Sequence, residues 1–311
     1  MTITTLGTTN IAVTPLCIGT WAWGDKLFWN DYDEAELQAA FTRALELGLN
    51  FFDTAEIYGS GLSEKFLGKF TQSNTVQIAT KFAPLPWRFT GKSVSEALTA
   101  SLSRLQRNSV ALYQVHWSFA FFMSQDTLMN ALAEEVQRGR VQAIGVSNYS
   151  AVQMQETQQI LGKLGIPLAV NQVPYSLLNR QIETNGIVDT ARDLGVTILA
   201  YSPLAQGLLT GKYTLGSNQK PTGARKIDPR FSQDGLQKIT PVISLLKQIG
   251  ETHNHTPAQV ALNWLIAQGN VIPIAGAKTV KQVEENAGAL GWQLTPEEIS
   301  QIDEITRPWR N

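Results

Sequence analysis

The stretch P-L-C-I-G-T-W-A-W-G (15–24) decides the fold. Residues 16–18 read as a short apolar strand, and the turn that follows is G-T-W-A-W-G. A doubly wound dinucleotide-binding sheet would place G-x-G-x-x-G here, to bring a helix N-terminus onto a pyrophosphate. That pattern is absent. Beyond it, apolar strand-like runs recur at 50–53, 76–81, 112–117, 143–147, 169–172, 197–201 and 271–274. Helical patterns alternate with them near 33–47, 62–70, 93–106, 125–138, 150–162, 184–194, 257–268 and 279–287. Eight strands, each followed by a helix, predict an α/β fold of the (β/α)8 TIM-barrel type. Residues 3–5 and 11–13 bracket L-G-T-T-N and predict an N-terminal β-hairpin. Gly48 is placed to end the first helix. Ser93 with Glu96, and Thr295 with Glu298, read as capping boxes. The segment 203–232 is too long for a plain connection and reads as a loop over a ligand.

The 311 residues read as a single domain spanning 1–311, and 43% apolar content is enough for a large core. A net charge of −1 gives no electrostatic basis for nucleic-acid or membrane-surface binding. No run approaches the roughly 18 apolar residues of a membrane span. The first ten residues lack the basic and apolar regions of a signal peptide. Cys17 is the only cysteine, so no intramolecular disulfide forms. That fits a reducing compartment, and a cytoplasmic location is expected. Cys17 itself reads as a small strand residue.

Three motifs carry chemistry: N-F-F-D-T-A-E-I-Y-G (50–59), A-T-K-F (79–82) and Y-Q-V-H-W (113–117). Barrel enzymes draw catalytic groups from the C-terminal strand ends. Asp53, Lys81 and His116 fall there, and Tyr58 lies just past Asp53. A phenol with its ordinary pKa near ~10 is a poor proton donor at neutral pH. A nearby ammonium lowers that value, and an aspartate keeps the ammonium charged and oriented. A histidine can orient and polarise a carbonyl oxygen. Singly, each residue has an ordinary explanation as a cap, a rim aromatic, a solvated strand end or a core histidine. Together at one barrel mouth, they read as a catalytic set. Trp21, Tyr58, Trp87, His116 and Trp117 are expected to line an aromatic substrate pocket. Trp23 and Trp29 are equally well explained as core.

The chain resembles the aldo-keto reductases from about Thr5 to about Thr306. The matching pieces include F-D-T-A-E-I-Y-G, T-K, H-W, I-G-V-S-N-Y, N-Q-V-P-Y-S, A-Y-S-P-L-A-Q-G-L-L-T-G-K-Y and I-P-I-A-G-A-K-T-V-K-Q-V-E-E-N. The resemblance implies a (β/α)8 barrel and NADPH-dependent reduction of small-molecule carbonyls. Tyr58 would be the general acid, Lys81 and Asp53 its tuners, and His116 the carbonyl-orienting group. Ser147, Asn148 and Gln172 would bind the nicotinamide carboxamide, and Tyr201 would stack on the ring. Gly19, Thr20, Trp21 and Asp53 would border the cofactor. Ser202, Pro203, Leu204, Gln206, Gly207, Leu208 and Lys212 would cover its pyrophosphate. Gly276, Ala277, Lys278, Thr279, Gln282, Glu285 and Asn286 would hold its adenosine phosphate. Many relatives have arginine where this chain has Gln282. Arginine is the better fork for a 2′-phosphate, while Lys278, Lys212 and Arg225 remain as point charges. No resident metal is expected. Aldehyde detoxification is an expectation by analogy.

Other patterns carry less. G-L-L-T-G-K-Y (207–213) is one residue short of a P-loop and lacks the magnesium-binding hydroxyl. His253 and His255 read as a helix-end surface pair rather than a metal site. Tyr58 and Lys81 are 23 residues apart, too far for the helical-turn spacing of short-chain dehydrogenases. Two rivals stand beside the reductase: a nucleotide-sensing regulatory subunit with slow turnover, and a Schiff-base lyase using Lys81. The tail P-W-R-N reads either as ordered near the substrate mouth or as frayed. Substrate identity, stereochemistry and oligomeric state are not legible.

Overall fold

The computed structural model describes residues 3–25, 32–71, 76–119, 122–217 and 219–310. Strands β1 (Thr4–Thr5) and β2 (Ala12–Val13) pair as an antiparallel hairpin. The other eight close a parallel barrel: β3 (Cys17–Gly19), β4 (Phe51–Asp53), β5 (Gln77–Phe82), β6 (Val110–Val115), β7 (Val141–Ser147), β8 (Leu168–Pro174), β9 (Thr197–Tyr201) and β10 (Val271–Gly276). They follow chain order around the ring, and β10 closes it by pairing with both β9 and β3. This is the α/β barrel with an N-terminal hairpin that the alternation predicts.

Strand parity separates two cores, because successive side chains point to opposite faces. Cys17, Phe51, Ala79, Leu112, Val170 and Leu199 belong to the smaller core, inside the barrel. Their neighbours Ile18, Phe52, Ile78, Tyr113 and Ile198 belong to the larger one, beneath the helices. Leu6, Ile11 and Val13 of the hairpin join the inner core. Gly7 N also donates to Thr197 Oγ1 at 2.8 Å, at the start of β9. The hairpin therefore plugs the N-terminal end of the barrel, and the opposite end is left to the loops that follow the strands.

The helical ring obeys the 3.6-residue period. In α1 (Glu34–Glu46), Leu37, Ala40, Phe41 and Ala44 are buried, Asp33 accepts from Ala35 N, and Gly48 follows with φ of 76°. At the opposite end of the chain, Thr295 and Glu298 form both halves of a capping box before the helix Pro296–Ile305. The box expected at Ser93 does not form. The helix Gly91–Leu105 starts earlier, with Thr90 at its N-cap, and Glu96 pairs with Lys92 at 3.2 Å. The segment 203–232 folds into short 3₁₀ turns at Ala205–Thr210, Gly223–Ile227 and Pro229–Phe231. The helix Gln233–His253 follows, with Pro241 inside it, where no helix is expected from the sequence.

Two close contacts fix the mouth. Gly59 has φ of 54°, and a Cβ there would lie 2.6 Å from Gly24 O. Only glycine allows that approach, which joins the Trp21 loop to the Tyr58 loop. In the C-terminal tail, Arg307–Arg310 form a 3₁₀ turn. Arg180, on the loop after β8, is 1% exposed. Its guanidinium bonds Glu183 at 2.7 Å, Asp303 at 2.9 Å and Thr306 Oγ1 at 2.5 Å, and lies over the Trp264 ring. Its backbone N–H donates to Trp309 O at 2.8 Å.

Arg180→Met keeps the packing stem but removes the cation from two carboxylates. Unpairing a buried ion pair typically costs about 3 kcal/mol or more. Urea denaturation should show a loss of that order. A loss below ~1 kcal/mol would mean that apolar packing alone docks the tail.

Candidate active site

The polar residues of the barrel interior sit one parity step above its apolar floor. Asp53 follows Phe51, Lys81 follows Ala79, Gln114 follows Leu112 and Gln172 follows Val170, each two residues along its strand. All four are buried. Lys81 is fully buried, and its ammonium donates to Asp53 Oδ2 at 2.5 Å, Thr54 O at 2.8 Å and Tyr58 OH at 3.3 Å. Three acceptors match its three protons. Asp53 Oδ1 accepts from Gln172 Nε2 at 2.8 Å and Gln114 Nε2 at 3.1 Å.

These contacts set the electrostatics. Burial disfavours the Lys81 charge, but Asp53 and Tyr58 outweigh it, and the pKa lies above its ordinary value. For Tyr58, burial raises the pKa and the Asp53 charge adds to the rise, while Lys81 opposes both. The net shift is upward, contrary to the lowering expected from Lys81 alone. In a dry site, desolvation of the phenolate exceeds the attraction of the paired ammonium. Tyr58 is therefore a neutral phenol at physiological pH.

His116 follows β6, and its N–H donates to Phe82 O at 2.9 Å. Its ring stands edge-on to Tyr58, with centroids 5.7 Å apart. Burial, aided by the Lys81 charge, lowers its pKa from 6.5 to about 3. Nδ1 is buried and has no hydrogen-bond partner among the described residues. An unbonded buried N–H costs more than an unbonded ring nitrogen, which favours the tautomer with its proton on Nε2. His116 is thus a neutral donor beside a neutral phenol.

A second cluster lies at the ends of β7, β8 and β9. Ser147 Oγ donates to Gln172 O at 2.8 Å, and Asn148 Nδ2 donates to Ser147 Oγ at 3.0 Å. Tyr201 OH donates to Asn148 Oδ1 at 3.0 Å. Asn148 and Ser202 have φ of 61° and 52°, which turn the chain sharply at the mouth. A hydroxyl, two amides and a phenol ring suit a flat ring bearing a carboxamide. Further round, Lys278 and Thr279 follow β10, and Thr279 caps the next helix, Val280–Ala287. Gln282 Oε1 accepts from Lys278 N at 2.8 Å, Thr256 Oγ1 donates to Glu285 Oε1 at 2.5 Å, and Asn286 Nδ2 donates to Gly276 O at 3.3 Å. These side chains brace the turn. Thr20 is similarly committed, to Asp53 O and Ser63 Oγ. Leu208 is fully buried, so its exposed neighbour Lys212 is the charged group of that loop.

Of the residues expected to line a substrate pocket, Trp21 stacks on Tyr58 at 6.0 Å, and Trp117 lies 4.8 Å from the His116 ring. Trp87 is 68% exposed on the loop after β5. Trp23 is core: it is buried, and Nε1 donates to Ala277 O at 2.8 Å. Trp29 lies outside the described residues. Sequence reading quoted Gln114 without singling it out; its inward parity, two residues past Leu112, was the available signal. His253 pairs with Glu298 at 2.8 Å, and His255 stacks on Trp292. Among the described residues, no helix is long and apolar enough to cross a membrane.

The family model "Aldo/keto reductase family" matches residues 15–307. A protein named pyridoxal reductase, chloroplastic, from Arabidopsis thaliana is 41% identical, over 94% of this chain and 83% of its own length. An NADP(+) aldo-keto reductase of Schizosaccharomyces pombe is 32% identical, over 92% and 87%. The solved structure of a glycerol dehydrogenase from Gluconobacter oxydans superposes with a TM-score of 0.86 at 28% identity, covering 99% of this chain and 96% of that one. With the barrel, the buried lysine–aspartate pair and a family match over nearly its whole length, the chain belongs to the aldo/keto reductase family of oxidoreductases.

Proposed function

We propose that the protein, acting as a single barrel domain, reduces aldehydes and ketones to alcohols with NADPH. The observation that carries this reading is Lys81 Nζ, held between Asp53 Oδ2 and Tyr58 OH beside a neutral His116. Bound NADPH supplies hydride to the carbonyl carbon. His116 Nε2–H donates to the carbonyl oxygen and holds it near Tyr58. As negative charge develops on that oxygen, the Tyr58 phenol gives up its proton. The Lys81 ammonium stabilises the phenolate that remains, and Asp53 keeps the ammonium in place. Ser147, Asn148 and Gln172 hold the nicotinamide carboxamide and Tyr201 the ring face, which orients the ring toward the substrate. Lys212 and Lys278 attract the phosphates.

Trp21, Trp117 and the Tyr58 ring favour flat apolar carbonyl compounds. The relative named pyridoxal reductase makes a heteroaromatic aldehyde the first substrate to try. The regulatory-subunit reading has no supporting observation. A cytoplasmic location is proposed from the single cysteine alone; the name of the Arabidopsis relative places that protein in the chloroplast.

Tyr58→Phe should lower kcat for an aromatic aldehyde by about 10²–10⁴-fold. Its NADPH affinity, read from tryptophan fluorescence quenching, should stay near wild type. A variant retaining full rate would remove Tyr58 as the acid. Borohydride with substrate should leave no adduct on Lys81, and an adduct would favour the lyase.

A second test concerns pH. His116 stays neutral in the folded protein down to about pH 3, while its ordinary pKa is 6.5. Between those values the unfolded chain holds the extra proton, so stability falls as pH drops from 6.5 toward 3. His116→Asn removes this contribution. Its urea midpoint should fall less than that of wild type between neutral pH and about pH 4.5. Parallel falls would mean that His116 already titrates normally.

A further inference from the structure

We propose that Gln114 is a positioning residue that couples the Gln172 amide to the proton relay through Asp53. The inference rests on the reductase reading and concerns a residue to which that reading gives no task.

Gln114 is fully buried in β6 and touches neither Tyr58 nor His116 by any hydrogen bond. Its Nε2 donates to Asp53 Oδ1 at 3.1 Å, and its Oε1 accepts from Gln172 Nε2 at 3.2 Å. Gln172 Nε2 also donates to Asp53 Oδ1 at 2.8 Å. The three side chains come from β4, β6 and β8 and meet across β7. Space for this is made by Gly145, which pairs with Gln114 in register. A Cβ on Gly145 would lie 2.9 Å from Gln114 Cγ. The intervening strand has no side chain where the two glutamines meet.

The arrangement has two consequences. An amide can face either way, but Asp53 Oδ1 and Gln114 Oε1 are both acceptors. They bind the Gln172 NH₂ and repel its oxygen, which leaves Oε1 as the group to offer a carboxamide N–H. The same contacts share the charge of Asp53. Oδ1 takes two amide donors while Oδ2 takes Lys81. With the Gln114 donor removed, the charge of Asp53 is less offset, and that charge raises the Tyr58 pKa further. The titratable groups around Lys81 and Tyr58 are Asp53 on β4, Cys17 on β3, His116 after β6 and Tyr201 at the end of β9. Burial holds the thiol, the imidazole and the second phenol neutral, so Asp53 and Lys81 are the charges that act.

The test uses the full chain with Gln114→Met, which keeps the volume without a donor or acceptor, and Gln114→Glu, which keeps the shape and, protonated beside Asp53, a donor. Two quantities are read: NADPH dissociation from fluorescence quenching, and the pH midpoint at which NADP⁺-dependent oxidation of an aromatic alcohol accelerates. Gln114→Met should weaken NADPH about two- to tenfold, the range for one lost buried hydrogen bond. It should also move the midpoint to higher pH, while KM for the alcohol changes less than about twofold. Gln114→Glu, held protonated beside Asp53, still donates to Oδ1 and accepts from Gln172, so both readouts should stay near wild type. Unchanged affinity and an unchanged midpoint in Gln114→Met overturn the proposal. So does a lower kcat with no shift in midpoint, which would mark a structural role only. If Gln114→Met does not fold, Gln114→Leu decides by the same two readouts. If wild type fails to turn over, the reductase reading falls, and NADPH binding alone decides whether Gln114 orients Gln172.

Discussion

A lysine with no exposed surface is the constraint around which this barrel is built. Removing an ammonium from water costs several kcal/mol even after relaxation, unless a counter-charge and hydrogen bonds meet it. Asp53 Oδ2 supplies the counter-charge at 2.5 Å, and Thr54 O and Tyr58 OH take the remaining protons. None of these partners is near Lys81 in the chain. They are brought there by the parallel pairing of β4 with β5, in which Asp53 lies opposite Ala79, two residues before Lys81. The arrangement proposed for catalysis is therefore also a folding requirement: any register that separated Asp53 from Lys81 would leave both charges buried and unpaired. Parity enforces this, since a one-residue slip of β4, β5, β6 or β8 would turn that strand's polar group out toward the helices.

The burial that makes the pair expensive also sets the protonation states around it. Tyr58 and His116 share one desolvated space but respond in opposite senses, because ionising a phenol creates charge and so does protonating an imidazole. Burial opposes both changes. It raises the phenol pKa and lowers the imidazole pKa to about 3, so both groups are neutral donors across the physiological range. Lys81 adds to the imidazole shift and opposes the phenol shift. It thereby keeps the proton of Tyr58 transferable in a site that would otherwise hold it too firmly. Two neutral donors side by side would suit the carbonyl oxygen of the proposed reaction as it gains charge.

The barrel, and the meeting of Asp53, Tyr58, Lys81 and His116 at one end of it, were legible because both are written in strands. Short apolar runs set the count, and reactive residues at their ends set the mouth. Gln114 was harder to see. Glutamine in a strand carries no reactive signature, and only its parity with Leu112 shows that it faces inward. The helix Gln233–His253 was missed for a local reason: Pro241 argues against a helix, while the apolar face of Ile239, Val242, Ile243 and Leu246 wins in tertiary context. The Ser93 capping box failed for the converse reason. The residue types matched, but Thr90 already occupied the cap, and a helix start is decided by where the preceding backbone leaves the helical region, not by composition. The direction of the Tyr58 shift was the deepest miss, because a sequence shows which charges are near and not how dry the site is.

Gln282 shows how far a substitution can be read without its surroundings. In the sequence it reads as the loss of an arginine fork. In the structure its Oε1 accepts from Lys278 N while its own N–H bonds Thr279 Oγ1, so it fixes the turn leading from β10 into the next helix. An arginine, having no acceptor, could not bond that backbone N–H. The exchange removes one cation and stiffens the turn that carries another. Coenzyme selection in this chain would then depend on Lys278 held in place rather than on a guanidinium reaching out. An ammonium carried on that braced turn attracts a phosphate dianion but lacks the planar fork. Preference for a 2′-phosphate would accordingly come from charge more than from shape, and it would weaken with rising salt.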